Sequence, residues 1–83
     1  MKMIVVSIFD QAAGVHSQPL YFASKGLAVR AFQDECRRAA PDNNLNKHPE
    51  DFALYELAVY DDSVGHFEQN GGAALLFRGS DCK

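Results

Sequence analysis

Asn46-Lys47-His48-Pro49-Glu50-Asp51-Phe52 divides this chain and sets how its two halves are read. Pro49 fixes its own φ and drives His48 toward extended backbone. Asn46 favours turn geometry, and the apolar run Phe52 to Tyr60 begins where the cluster ends. The stretch therefore reads as a shaped loop, neither ordinary helix nor strand. Its stiff backbone holds Lys47, His48, Glu50 and Asp51 close together.

Working outward, Lys25 to Ala40 fit a helix with Ser24 as N-cap and Pro41 as its stop. Ala28, Val29, Phe32, Cys36 and Ala39 fall on one stripe, with Arg30, Asp34, Arg37 and Arg38 on the opposite side. Gly26 weakens the first turn by about 1 kcal/mol relative to alanine. Before the helix, residues 2–9 are rich in β-branched and aromatic types and stop at Asp10. Gln11 to Gly14 form a turn, and Val15 to Ala23 a weaker edge strand broken by Pro19. The pattern Ile8-Phe9-Asp10 with Gly14 returns as Val59-Tyr60-Asp61 with Gly65, which suggests two related hairpins.

The predicted class is α+β: strand–strand–helix–strand–strand, a mainly antiparallel four-stranded sheet with one helix on one face. Residues 1–69 form this ββαββ domain; residues 70–83 are a Gly-linked hydrophobic segment, part of the same domain or a docking arm. Residues 2–9 and 52–60 take the centre of the sheet, and the helix crosses over one strand to connect the two edges, with the right-handed crossover preferred. Strict alternation turns Ile4, Val6, Ile8, Tyr55, Leu57 and Val59 toward the helix. The other face then carries Met3, Val5, Phe9, Leu54, Ala58 and Tyr60, interrupted only by Ser7 and Glu56.

That second face is too apolar for a solvated layer. It predicts a homodimer or higher oligomer packed sheet against sheet, unless the C-terminal segment folds back over it. Asn70-Gly71-Gly72 reads as a flexible joint. Leu75, Leu76 and Phe77 are expected to cover their own sheet, join the oligomer interface or capture a partner.

Eighty-three residues make one domain with a small core, and oligomerisation is a common supplement at this size. A net charge of −3 excludes coating nucleic acid by bulk positive charge, but leaves room for a local basic patch. Two cysteines are too few for a disulfide framework, which favours a reducing cytoplasm. Met1 to Phe9 reads as a strand and not a signal peptide, because Asp10 and Gln11 interrupt it and no small-residue cleavage site follows. No stretch approaches the roughly 20 apolar residues of a membrane helix.

No metal or other cofactor is expected. His16, His48, His66, Cys36 and Cys82 show neither C-x-x-C nor H-x-x-x-H spacing. Cys36 lies on the apolar stripe as a small hydrophobe, and Cys82 is too near the end to be held rigidly. His48 with Glu50 or Asp51 is the one acid–base candidate, set against a turn cap or a pair with Lys47. Neither phosphate-cradling glycine spacing nor a calcium loop after Asp61-Asp62 occurs. The chain is therefore expected not to be an enzyme.

Lys25, Arg30, Arg37, Arg38, Lys47 and His48 form the candidate DNA-binding surface, with Tyr21 and Phe22 placed to stack bases. The competing reading is helix-surface ion pairing, since Asp34 sits four residues from both Arg30 and Arg38.

Ala28-Val29-Arg30-Ala31-Phe32, the run from Asn46 to Phe52, and Leu57 through Asp61-Asp62, in this order, resemble the small nonstructural protein of gokushovirus-type microviruses. These are small bacteriophages with single-stranded DNA. The resemblance spans roughly residues 1–67. It implies a protein of the infected bacterium's cytoplasm with no catalytic residues. By analogy with the C protein of other microviruses, it implies binding to single-stranded DNA and a role in viral DNA replication or its switch to packaging. The alternative is an adaptor without DNA affinity that holds a replication, capsid or host protein.

Overall fold

The computed structural model describes residues 1–82. In chain order these form β1 (Lys2–Asp10), β2 (Val15–His16), β3 (Leu20–Phe22), α1 (Lys25–Arg37), α2 (Asn44–Lys47), β4 (Phe52–Asp61) and β5 (His66–Arg78). One antiparallel five-stranded sheet runs β2-β1-β4-β5, with β3 also pairing β1. The α+β class, the central position of β1 and β4 and the single main helix are as the sequence predicts. β2 and β3 share one edge of β1, the first opposite Phe9 and Asp10, the second opposite Ile4 to Val6. Pro19 lies between them, where its missing N–H breaks the ladder. No helix of the described residues is long and apolar enough to cross a membrane.

The Ser24 side chain caps α1 by accepting from the Leu27 N–H at 3.2 Å. The helix ends at Arg37, three residues short of the expected Ala40, because side chains beyond it take its last carbonyls. Asn43 donates to the Glu35 and Arg38 carbonyl oxygens at 2.9 and 2.8 Å, and Asn46 donates to that of Cys36 at 2.9 Å. Orphan carbonyls at a helix end need such partners. The stretch around Pro49 is likewise more regular than a loop. It comprises the end of α2 and a 3-10 turn at Pro49–Asp51, with proline at the first position, where no N–H is required.

Val6, Ala28, Phe32, Cys36, Leu45, Leu54 and Cys82 make the core between α1 and the sheet, with Ile4, Ile8, Phe22, Leu76 and Phe77 packed against it. Phe32 meets Phe77 edge to face, centroids 6.0 Å apart. Leu54, Leu76 and Phe77 thus pack on the helix side, away from the sheet face expected to carry an oligomer interface. Glu56 also faces the helix side, and Tyr55 faces away from it.

The cause is a bulge at Leu57. Val5 pairs with Ala58 but Val6 pairs with Glu56, so Leu57 is extra, and the alternation of β4 shifts by one residue there. On the other side of β4, Ala58 pairs with Gln69 and Glu56 with Ala74, so residues 70–73 bulge out of β5. Gly71 and Gly72 supply the required positive φ, 81° and 123°. The expected flexible joint is therefore a bulge inside a strand, and the segment after it completes the sheet. A second register shift, at Leu54/Tyr55, lets both Leu76 and Phe77 reach the core. The segment's last residue, Lys83, lies outside the described residues.

Cys82 is held firmly, contrary to expectation. A 3-10 turn at Gly79–Asp81 returns the chain to the core, where Cys82 lies buried near Cys36. Burial first, then a hydrogen bond with Cys36, pushes its thiol up to about 12.

Candidate nucleic-acid interface

The sheet face away from α1 is built in cross-strand rows. Phe67, Tyr60 and Met3 form one row; Gln69, Ala58, Val5 and Tyr21 the next; Leu75, Tyr55 and Ser7 a third; Arg78, Ala53, Phe9 and His16 the last. Small residues fill the middle: Val5, Ser7 and Ala58 are buried within the single chain. Rings stand at both ends. Phe9, His16 and Tyr55 form one cluster, with centroid separations of 4.8, 5.5 and 6.1 Å. Tyr60 joins Tyr21 at 5.9 Å and Phe67 at 4.8 Å in the other. The Ser7 hydroxyl and His16 Nδ1 lie 2.7 Å apart, which fixes the imidazole against the sheet.

Of the residues expected at an oligomer interface, Met3, Val5, Phe9, Ala58, Tyr60 and Leu75 do lie on this face. Val5 and Ala58 are already covered, so the layer is less bare than the sequence suggests. What remains accessible is mostly aromatic: Tyr21 is 44% exposed, Phe67 48% and Leu75 43%. Beyond the Phe9–Tyr55 end, a cavity of about 490 Å³ opens between the sheet and the Pro49–Asp51 turn. Arg78, Gln11, Glu50 and Asp51 line it together with Phe9 and Tyr55.

The predicted basic stripe is not assembled. Lys25 Nζ sits 3.3 Å from a Glu56 carboxylate oxygen, and that carboxylate is only 6% exposed, so the lysine neutralises a buried charge. Arg38 forks onto Glu35, with Nε 3.0 Å from each carboxylate oxygen. That contact holds the Glu35 carboxyl below its ordinary range and raises the Arg38 guanidinium. Arg30 and Arg37 are exposed on α1 and make no ion pair among the described residues, but exposed Asp34 lies between them along the helix. Lys47 and His48 stand at the end of α2, where His48 Nδ1 is 4.0 Å from Glu50. Lys25 and Arg37 mark opposite ends of α1, about 18 Å apart along the axis. Tyr21 is on the aromatic face as a stacking residue requires; Phe22 is packed against the core.

A family model described as Phage ORF5 protein matches residues 3–82. The chain belongs to that family. No curated protein and no solved structure matches it. The Phage ORF5 match runs through β5 to Cys82, well past residue 67, where the resemblance to gokushoviral proteins fades. The C-terminal segment is thus family sequence, as its place in the sheet requires. The bulged strand and the cavity beside Arg78 both lie within the Phage ORF5 match.

The sequence reasoning missed the aromatic platform as a site. Phe9, Tyr55, Tyr60 and Phe67 are visible as strand residues, but strict alternation puts Tyr55 and Tyr60 on opposite faces. Only the Leu57 bulge reunites them.

Proposed function

We propose that this phage protein is a non-enzymatic accessory protein that binds single-stranded DNA on the aromatic face of its sheet. Its place of action on this reading is the cytoplasm of the infected bacterium, in viral DNA replication or its switch to packaging, as for gokushovirus-type microviruses. The observation that carries the reading is the gathering of Phe9, His16, Tyr55, Tyr21, Tyr60 and Phe67 on one face, around a floor of small residues. Stacked rings of this kind bind bases without sequence preference, at about 1–3 kcal/mol per base. A net charge of −3 leaves no bulk attraction to phosphate, so stacking dominates and the salt dependence is set by the few local phosphate contacts. Arg30, Arg37 and Lys47 contribute only as accessory charges.

Self-association adds to this reading. β5 closes the sheet order, so among the described residues its outer edge is unpaired; the bulge at residues 70–73 divides that edge, and no proline or lysine occurs between His66 and Arg78. Such edges invite another strand. Joined copies would pool several weak platforms on one DNA strand. Leu76 and Phe77, packed at the core, are not available as the free arm of an adaptor.

Fluorescence anisotropy with labelled single-stranded DNA over a salt series tests the proposal. Tyr55→Ala and Tyr60→Ala are each expected to weaken binding by about 5- to 150-fold, the equivalent of one lost stack. Arg37→Ala with Arg38→Ala should change it little. Absence of binding at low salt, or dependence on the arginines with indifference to the tyrosines, would overturn the reading.

A further inference from the structure

We propose that the cavity beside Arg78 is a base-reading pocket that selects guanine in the bound strand. The inference rests on the single-stranded DNA reading and adds a specificity to it. The cavity holds about 490 Å³, in the range of small-molecule sites. Its walls combine aromatic, cationic and anionic side chains. Phe9 and Tyr55, edge to face at 86°, supply an aromatic wall. Arg78 comes from the end of β5 and makes no ion pair among the described residues. Glu50 and Asp51 come from the 3-10 turn opposite, where their carboxylates also lie close to the His48 ring.

That turn is rigidly placed. The Gln11 N–H donates to the Asp51 carbonyl oxygen at 2.8 Å, and the Asp51 N–H donates to that of His48 at 3.0 Å. Gly79, the residue after Arg78, is buried against the Pro49 and Phe52 carbonyls, so the backbone that carries Arg78 is docked on the turn that carries Glu50 and Asp51.

The mixture of charges narrows the ligand. A metal ion or an amine would face Arg78, and a free phosphate would face two carboxylates. A nucleotide satisfies both: its phosphate takes the guanidinium, and its base edge must then donate, because ionised carboxylates only accept. Guanine alone presents adjacent N1–H and N2–H donors, which match the two oxygens of one carboxylate. Cytosine and adenine each offer one amino group beside an acceptor. Thymine places a carbonyl on either side of its single N–H, and those oxygens would meet the carboxylates unfavourably. The Phe9–Tyr55 rings hold the base in every case; the carboxylates decide which base stays.

The test is anisotropy with a short labelled oligothymidine and with the same strand carrying one central dG, dC, dA or deoxyinosine. The full chain is used, with Glu50→Gln/Asp51→Asn as the variant. The dG strand should bind about 5- to 150-fold more tightly than oligothymidine, the discrimination of one bidentate base contact. Deoxyinosine, which lacks the 2-amino group, should lose most of that gain. The variant should lose the discrimination, binding the dG strand and oligothymidine with equal affinity. Deoxyinosine needs no altered protein, so it preserves the test if the variant is unstable. Equal affinity of the wild type for the dG strand and oligothymidine overturns the pocket while leaving DNA binding intact. Failure to bind any strand overturns the parent reading, and the pocket with it.

Discussion

Gly79→Ala should unfold this protein at a temperature far below the wild type's. Gly79 sits where the C-terminal turn closes onto the Pro49–Asp51 turn. A Cβ there would be driven into the Pro49 carbonyl oxygen and lie 2.7 Å from that of Phe52. Both obstacles are backbone atoms, so no side chain can rotate away, and one of the two turns must move. Overpacking of this kind destabilises by about 1–3 kcal/mol, and backbone obstacles place Gly79→Ala at the upper end. For a domain of this size, about 3 kcal/mol lowers Tm by roughly 12–24 °C. Gly26→Ala is the matched control. Its Cβ would meet only the Ser24 hydroxyl at 3.9 Å, inside a helix that prefers alanine. It should raise stability by up to about 1 kcal/mol. Thermal melts followed by circular dichroism read both. A Gly79→Ala protein melting within a few degrees of wild type would refute the close docking of the two turns, and with it the anchoring of Arg78 beside Glu50 and Asp51.

Two further outcomes follow from the same packing and its charges. Cys36 and Cys82 are both buried, with the Cys82 thiol pushed up to about 12, so neither should react with a thiol-specific alkylating agent until the chain unfolds. Rapid labelling of Cys82 in the native state, scored by mass spectrometry, would mean that the C-terminus is not docked. Asp61 is held below its ordinary 3.8 by hydrogen bonds from the Ser63 side chain and backbone, so its contribution is complete at neutral pH and declines as acid carries the pH down through its lowered value. Ser63→Ala should therefore melt below wild type at neutral pH and converge with it in strong acid; an equal gap at every pH would contradict that assignment.

The elements of this fold were legible because propensity and pattern agree in them. Lys2 to Phe9 is a β-branched and aromatic run, Ser24 caps, and the Ala28–Phe32–Cys36 stripe finds the sheet. What escaped depends on contacts distant in sequence. Leu57 gives no local sign that it is a bulge residue, yet it decides that Leu54 and Glu56 face α1 and that Tyr55 joins Phe9. Asn43 and Asn46 end α1 from outside it, which no helix-stop rule anticipates. On the basic surface, the ion pairing weighed from the sequence does occur at Arg38, though with Glu35 three residues away and not with Asp34; the partner of Lys25, Glu56, is brought near only by the fold.

Mapping single-stranded DNA by amide chemical shifts in a titration tests the central claim most directly. The expected shifts centre on Phe9, His16, Tyr55, Tyr60, Phe67 and Arg78, with α1 quiet between Arg30 and Arg37. Shifts confined to α1 and the Lys47–His48 corner, or none on the aromatic face at saturating DNA, would contradict it.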